Sequence, residues 1–340
     1  MTSLLLIGDP HFKDGNDADT DPPVSFLLSF IPTRSWGAII VLGDILHDHR
    51  RSYMRAHMKA CDFLLALSKF APTYLLIGNH DRMDNSDFLS DAHFFHGVAS
   101  ESLTIVSTVT VITIADRPVV LVPYVPAGRF REALLTYNDD PSWFQSAALI
   151  CAHQEFNRCE LAHNRYSTTG DDWTDISPPI YSGHIHGAHD YGSIHYVGSM
   201  YQVDYTEPPT KAVRAVTIHP SSLSEEIIPL PMRKKLLVTL TQDNFSSYSP
   251  PSDEEIPSVI TIHIYCHPGV DLRHHPLVEQ WIKRGYTVTQ RVINDHSSSP
   301  PAITPSSTSF LAKFRDRVQA HPPYVAIIDR LFGAPPSPDG

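Results

Sequence analysis

The sequence predicts an α/β fold: an α+β sandwich of mixed sheets flanked by helices, with a small α/β accessory domain at the carboxyl end. Three observations carry this expectation. Short unbroken apolar runs recur at residues 4–7, 38–42, 73–77 and 147–152, the pattern of strands covered on both faces. Helix-spaced apolar residues separate the second run from the third, which implies parallel strands with right-handed crossovers. Beyond residue 234 the rhythm changes to β-β-α-β.

Taken in order, the first run, Leu4 to Ile7, ends in Gly8-Asp9-Pro10-His11. Asp14, Asp17, Asp19 and Asp21 make an acidic, Gly- and Pro-broken loop, with a short helix expected at 26–31. The second run ends in Gly43-Asp44-Ile45-Leu46-His47. Met54, Met58, Cys61, Leu64, Leu65 and Leu67 predict a helix within 51–70, and the third run ends in Gly78-Asn79-His80-Asp81. Residues 103–114 and 119–125 are β-branched and flank Ala115-Asp116-Arg117-Pro118, a hairpin signature. The strand at 147–152 ends in His153, and 180–182 leads into Gly183-His184-Ile185-His186.

A single Gly-Asp after a strand is ordinarily a turn or a helix cap. Here five strand ends out of five carry a metal-ligand side chain and none carries Lys or Arg, so the pattern reads as a metal site. An ionised carboxylate at the mouth of a buried sheet needs a cation, and its two oxygens can bridge two; Asp44 is the expected bridge. Imidazole mixed with Asp and Asn suits Mn²⁺, Fe or Zn²⁺ better than Mg²⁺ or Ca²⁺. Two such ions ~3.5–4 Å apart lower the pKa of a bridging water and clamp the oxygens of an in-line phosphoryl displacement. Asp48 and Asp81 are either supports that fix a histidine tautomer or surface caps.

The five motifs together, D-x-H (Asp9, His11), G-D-x-x-H (Asp44, His47), G-N-H-D (Asn79, His80), a lone His153 and G-H-x-H (His184, His186), resemble the calcineurin-like metallophosphoesterases over about residues 1–205. The resemblance implies that Asp9, His11, Asp44 and His186 hold one metal and Asp44, Asn79, His153 and His184 the other. It makes His80 a general acid or charge stabiliser at the substrate phosphate. His47 stands where phosphoprotein phosphatases carry Asp, and with Tyr196-Val197-Gly198-Ser199 and Glu207 it is similar to the SbcD-type DNA repair exonucleases. In those enzymes the equivalent histidine orients the phosphate and its leaving group. Mn²⁺ is favoured on the same resemblance. The basic, extended tail of many eukaryotic members is missing.

The resemblance divides the chain into a dinuclear metallophosphoesterase (nuclease) domain at 1–233, a capping domain at 234–295, a Ser/Pro-rich linker at 296–309 and an amphipathic segment at 310–340. That last segment is expected either to dock an SbcC-type coiled-coil ATPase or to fold back on its own core; a homodimer is also an expectation. Arg273, Lys283, Arg284 and Arg291 either face nucleic acid or form ordinary solvated surface.

Net charge is −11, and all of the excess lies in residues 1–233, which hold 16 Lys and Arg against 27 Asp and Glu. An acidic domain is a poor nonspecific binder of polyanions, so DNA as substrate requires metals or a partner to offset the repulsion. Four separated cysteines without a C-x-x-C pair argue against a disulfide framework or a thiolate zinc site. The first residues read as a strand, not a signal peptide, and no run has membrane-helix length, so a soluble intracellular protein is expected. The leading expectation is a metal-dependent DNA exo- or endonuclease of DNA repair or recombination. Its rivals are a phosphomonoesterase or small-nucleotide phosphodiesterase on the same site, and a non-enzymatic scaffold, the weakest because every ligand is kept.

Overall fold

The computed structural model describes residues 2–98, 100–162, 165–174, 178–251 and 256–293. The chain divides into two units, Met1–Cys266 with Asp271–Arg291 and His267–Val270 with Val292–Gly340. The sandwich and the candidate site lie in the first. The segments 296–309 and 310–340, expected as linker and docking piece, lie outside the described residues.

In chain order the elements are β1 (Thr2–Ile7), α1 (Asp17–Phe30), β2 (Ala38–Val41), α2 (Met54–Leu67), β3 (Thr73–Leu76), β4 (Leu103–Val106), β5 (Thr110–Ile114), β6 (Arg117–Val122), α3 (Phe130–Tyr137) and β7 (Leu149–Ala152). There follow β8 (Glu160–Ala162), β9 (Arg165–Tyr166), β10 (Ile180–Ser182), β11 (His189–Tyr191), β12 (Ile194–Tyr196), β13 (Ala212–Ile218) and β14 (Leu223–Pro229). Two six-stranded sheets result, ordered β14-β13-β1-β2-β3-β4 and β11-β12-β10-β7-β6-β5. Strands β1 to β4 pair in parallel, as do β6, β7, β10 and β12.

Period-two geometry explains the unbroken apolar runs. Leu4, Leu6, Ile40 and Leu42 point between the sheets at Val119, Leu121, Leu149 and Cys151. Their neighbours Leu5, Ile7, Ile39 and Val41 point outward against Leu27 of α1 and Ala60, Phe63 and Leu64 of α2. On the far side Val120, Val122, Ile150 and Ala152 meet Phe130 and Leu134 of α3. The layers therefore run helix, sheet, sheet, helix, the α/β sandwich that the sequence predicts.

Two local expectations differ from the structure. The acidic stretch is not a loop with a helix only at 26–31: α1 already begins at Asp17 and runs through Pro22 and Pro23. Those prolines remove two intrahelical donors near the start. Lys59 of α2 holds the turn from outside, donating to Asp17 (2.8 Å), Thr20 (2.7 Å) and Asp21 (2.5 Å). A tertiary ion pair thus overrides weak local propensity. The run at 103–114 also breaks in two, since β4 joins the first sheet while β5 forms the antiparallel hairpin with β6 in the second.

Beyond the sandwich, β15 (Lys235–Thr241), β16 (Val259–Cys266), α4 (Pro276–Lys283) and β17 (Thr287–Val292) form a separate three-stranded sheet with one helix. Alternate residues Ile260, Ile262 and Ile264 are buried, and Trp281 of α4 is buried beside Phe245. Arg273, Lys283, Arg284 and Arg291 are exposed. No helix among the described residues is long and apolar enough to cross a membrane.

Leu6 sits at 0% exposure in the layer between the sheets, so Leu6→Ala should cost about 2–5 kcal/mol through lost transfer energy and an unfilled cavity. Urea unfolding should show a lower midpoint at unchanged slope. A loss under about 1 kcal/mol would contradict tight packing of the two sheets at β1.

Candidate metal centre

The carboxyl ends of β1, β2 and β3 in one sheet and of β7 and β10 in the other open onto one place. All nine side chains singled out in the sequence lie there. Asp9 and His11 follow β1, Asp44 and His47 follow β2, Asn79 and His80 follow β3, His153 follows β7, and His184 and His186 follow β10. His11, Asp44 and His184 adopt positive φ of 46°, 47° and 75°, a conformation that costs L-residues energy and clusters at functional sites.

Two groups form. In the first, ligand atoms of Asp9, His11 and His186 lie within 4.8 Å of one another, with 2.8 Å between the Nε2 atoms of His11 and His186. In the second, Asp44, His153 and His184 meet the same limit. Asn79 Oδ1 joins them, 3.0 Å from His153 Nε2 and 2.8 Å from His184 Nδ1. Asp44 stands between the groups: Oδ2 is 4.0 Å from His11 Nε2, and Oδ1 is 3.3 Å from His153 Nε2.

Each imidazole turns its other nitrogen to an acceptor. His11 Nδ1 donates to the Leu46 carbonyl (3.2 Å), His153 Nδ1 to the Leu42 carbonyl (2.6 Å) and His186 Nδ1 to Glu207 Oε1 (2.8 Å). His184 Nε2 faces Glu155 Oε2 at 3.8 Å. These acceptors assign the protons outward and leave lone pairs pointing inward, the arrangement of metal-binding histidines. Inside, ring nitrogens, carboxylates and an amide oxygen face one another, and only the backbone amides of His80 (2.8 Å to Asp44 Oδ1) and His184 (3.2 Å to Asp9 Oδ1) donate to the carboxylates. Asp9 Oδ2 is buried without a hydrogen-bond partner among the described residues.

The electrostatics agree. Burial alone would lower the pKa of His153, but Asp44 and then Asp9 outweigh it and raise the group to about 9. His11, crowded by burial and by His186, is pushed well below its usual value. The donor set fits a pair of divalent ions.

Glycines of the motifs give the ligands room. A Cβ on Gly78 would come within 2.2 Å of Asp44 Oδ1, and one on Gly183 within 2.4 Å of Asp9 Oδ1. Asp81 neither fixes a histidine nor caps a surface turn. It is fully buried and accepts from the amides of Gly78 and Leu46 (3.0 Å each) and Ile45 (3.4 Å), knitting the second and third loops together. Burial, with Asp44 nearby, pushes its carboxyl up to about 7.

His80 and His47 sit beside the first group, their ring centroids 5.0 and 5.2 Å from that of His11. His80 Nδ1 donates to the His47 carbonyl, and its amide donates to Asp44 Oδ1 at 2.8 Å. His47 Nδ1 has no partner among the described residues. A cleft of about 550 Å³ opens onto His184 and His186 and is walled also by Leu161, Ala188, Glu207 and Pro209.

The calcineurin-like phosphoesterase family model matches residues 2–188, more than half of the chain. The chain belongs to that family. Membership brings with it metal-dependent phosphoester hydrolysis, and the two groups above are this phosphoesterase's candidate places for the metals. Among curated proteins it is 32% identical over 261 residues to 244L of Invertebrate iridescent virus 6, whose name provisionally calls it a phosphoesterase; the match covers 74% of this chain and 91% of that one. It is likewise 32% identical over 246 residues to 078R of Invertebrate iridescent virus 3, provisionally named in the same way, covering 72% and 70%.

Sequence reasoning passed over Glu155, Lys211 and His49. Glu155 follows a strand-end histidine by two residues, a signal that was readable. His49, whose ring centroid lies 3.6 Å from that of His80, and Lys211, brought in by a distant loop, carried none.

Gly183→Ala would press a Cβ on Asp9, the Leu42 carbonyl and His153, so it should weaken divalent-metal binding about tenfold or more by calorimetry while circular dichroism still shows a folded chain. Unchanged affinity would show that Asp9 is not held where metal binding needs it.

Proposed function

We propose that this phosphoesterase is a metal-dependent phosphodiesterase acting on DNA, an exo- or endonuclease of SbcD type serving repair or recombination. The observation that carries the reading is His47. It lies three residues after Asp44, its ring beside His80 and His11, with a buried Nδ1 that nothing in the described chain occupies. A polymer phosphodiester leaves as a poor alkoxide and needs alignment and charge stabilisation that an activated ester does not.

Asp9, His11, Asp44 and His186 would hold one ion, and Asp44, Asn79, His153 and His184 the other; the imidazole-rich set suits Mn²⁺, Fe or Zn²⁺, with Mn²⁺ favoured by the resemblance. Such ions supply Lewis-acid polarisation of the phosphate and of the attacking water. The chain's own groups do the rest. His80, held through Nδ1 on the His47 carbonyl, presents Nε2 to deliver a proton to the departing oxygen or to stabilise the charge growing there. Burial, with Lys13 and His80 adding to it, lowers His47 to about 4, so at neutral pH it acts as an uncharged hydrogen-bonding ring that orients the phosphate.

The overall charge of −11 opposes DNA, so the exposed Arg273, Lys283, Arg284 and Arg291, or an SbcC-type coiled-coil ATPase, would have to supply the attraction. A second reading, a small-nucleotide phosphodiesterase or phosphomonoesterase, draws on the cleft, whose walls among the described residues include Glu160 and Glu207 but no Lys or Arg.

With Mn²⁺, the purified protein is offered labelled double-stranded DNA, single-stranded DNA and a chromogenic phosphodiester. DNA cleavage is expected, and its absence even with a suitable ATPase partner would remove the nuclease reading. Asp44→Ala should lose both ions and all activity, since both positions share that carboxylate. His80→Ala should keep the metals and lose on the order of a hundredfold in rate. His47→Ala should also keep the metals but lose far more on DNA than on the chromogenic ester. Equal losses on both would favour the second reading.

A further inference from the structure

The two metal positions are not supported alike. His11 and His153 are sealed by burial, but the His186 side chain is 28% exposed, so packing alone does not fix its ring. What fixes it is an ion pair on the loop after β12. Glu207 Oε1 accepts from His186 Nδ1 at 2.8 Å, while Oε2 accepts from Lys211 Nζ at 2.7 Å and the Val203 amide at 3.0 Å. The buried Lys211 ammonium spends its other protons on the His186 carbonyl (2.7 Å) and Ser199 Oγ (2.8 Å). Ring and backbone of one ligand are thus gripped by a single pair.

That loop has its own anchor. Gln202 accepts from the Lys235 amide at 2.7 Å and donates to the Lys235 carbonyl at 3.1 Å, a two-bond clamp onto β15 of the accessory sheet. Tyr201, on the same loop, donates to the His11 carbonyl at 3.0 Å. In the second group the outer nitrogen of His184 faces Glu155 Oε2 at 3.8 Å, and that carboxylate accepts from Ser167 Oγ; among the described residues it makes no bond to the accessory sheet, and the other members are held by the sandwich itself.

We propose that Glu207, backed by Lys211, is a positioning residue that builds the Asp9–His11–His186 metal position alone, so the two ions bind with separable affinities and the accessory sheet supports only one of them. A carboxylate on the outer nitrogen fixes the ring's tautomer and strengthens its inner lone pair as a donor. Losing it should weaken that position by about 10–100-fold and spare the other.

The proposal rests on the two-position reading given above, and the test separates them. Metal-free full-length protein is titrated with Mn²⁺ by calorimetry and by electron paramagnetic resonance. The unmutated chain should take up two ions and give the spectrum of an exchange-coupled pair. Glu207→Ala at the same Mn²⁺ concentration should give one tight ion and the six-line spectrum of isolated Mn²⁺. Glu207→Gln, which keeps an acceptor but not the charge, should recover part of the affinity. If Glu207→Ala fails to fold, Gln202→Ala, which touches neither His186 nor Lys211, should weaken the same position alone. Fewer than two ions on the unmutated chain would sink the two-position reading. Two ions whose affinities ignore Glu207 and Gln202, or fall together, would overturn the positioning role and leave the two positions standing.

Discussion

Four imidazoles, two carboxylates and an amide oxygen gather at one place, and apart from the backbone amides of His80 and His184 on Asp44 and Asp9, no donor among the described residues satisfies them; Asp9 Oδ2 has no partner at all. Gathering acceptors this way costs several kcal/mol per unpaired group unless a cation neutralises them. The rest of the structure follows from making that arrangement possible. Strands covered on both faces can release polar side chains only at their ends, and parallel pairing puts those ends on one side. Two sheets packed face to face then bring five loops to a common point. The glycines at 78 and 183 let a carboxylate approach to where a Cβ would stand, Asp44 from the adjacent strand and Asp9 from the facing sheet. Asp81 ties two of the loops through their amides, and the positive φ at His11, Asp44 and His184 is strain that this framework holds in place.

Much of this was legible because the signals are local. An unbroken apolar run followed by Gly-Asp or Gly-Asn-His states both a buried strand and what leaves it, so the sandwich and the placement of nine side chains could be read from the sequence. What escaped depends on partners far along the chain. Asp17 to Asp21 reads as a loop until Lys59 arrives from α2 to pin it as the start of a helix. Residues 103–114 read as one strand, yet they serve two sheets. Lys211 carries no signal in the sequence, and only the fold buries it against Glu207 and the His186 carbonyl. Asp81 reads as either a histidine support or a surface cap, and only the fold buries it against the backbone amides of Gly78, Ile45 and Leu46.

The chain's acidity and its site chemistry are connected. A net charge of −11 raises the local affinity for divalent cations while repelling polyanions, so the same feature that favours the metals works against DNA. Basic residues on the accessory segment, a partner, or a substrate of few charges would each resolve that conflict. Family membership establishes a metal-dependent phosphoester hydrolase.

The central claim is that the two oxygens of Asp44 serve two separate cations. Crystals grown with Mn²⁺ and measured by anomalous diffraction at the manganese edge test it directly. The account predicts two peaks ~3.5–4 Å apart, one against Asp9, His11 and His186, the other against Asn79, His153 and His184, with one Asp44 oxygen on each. A single peak, or two peaks of which only one touches Asp44, would contradict it.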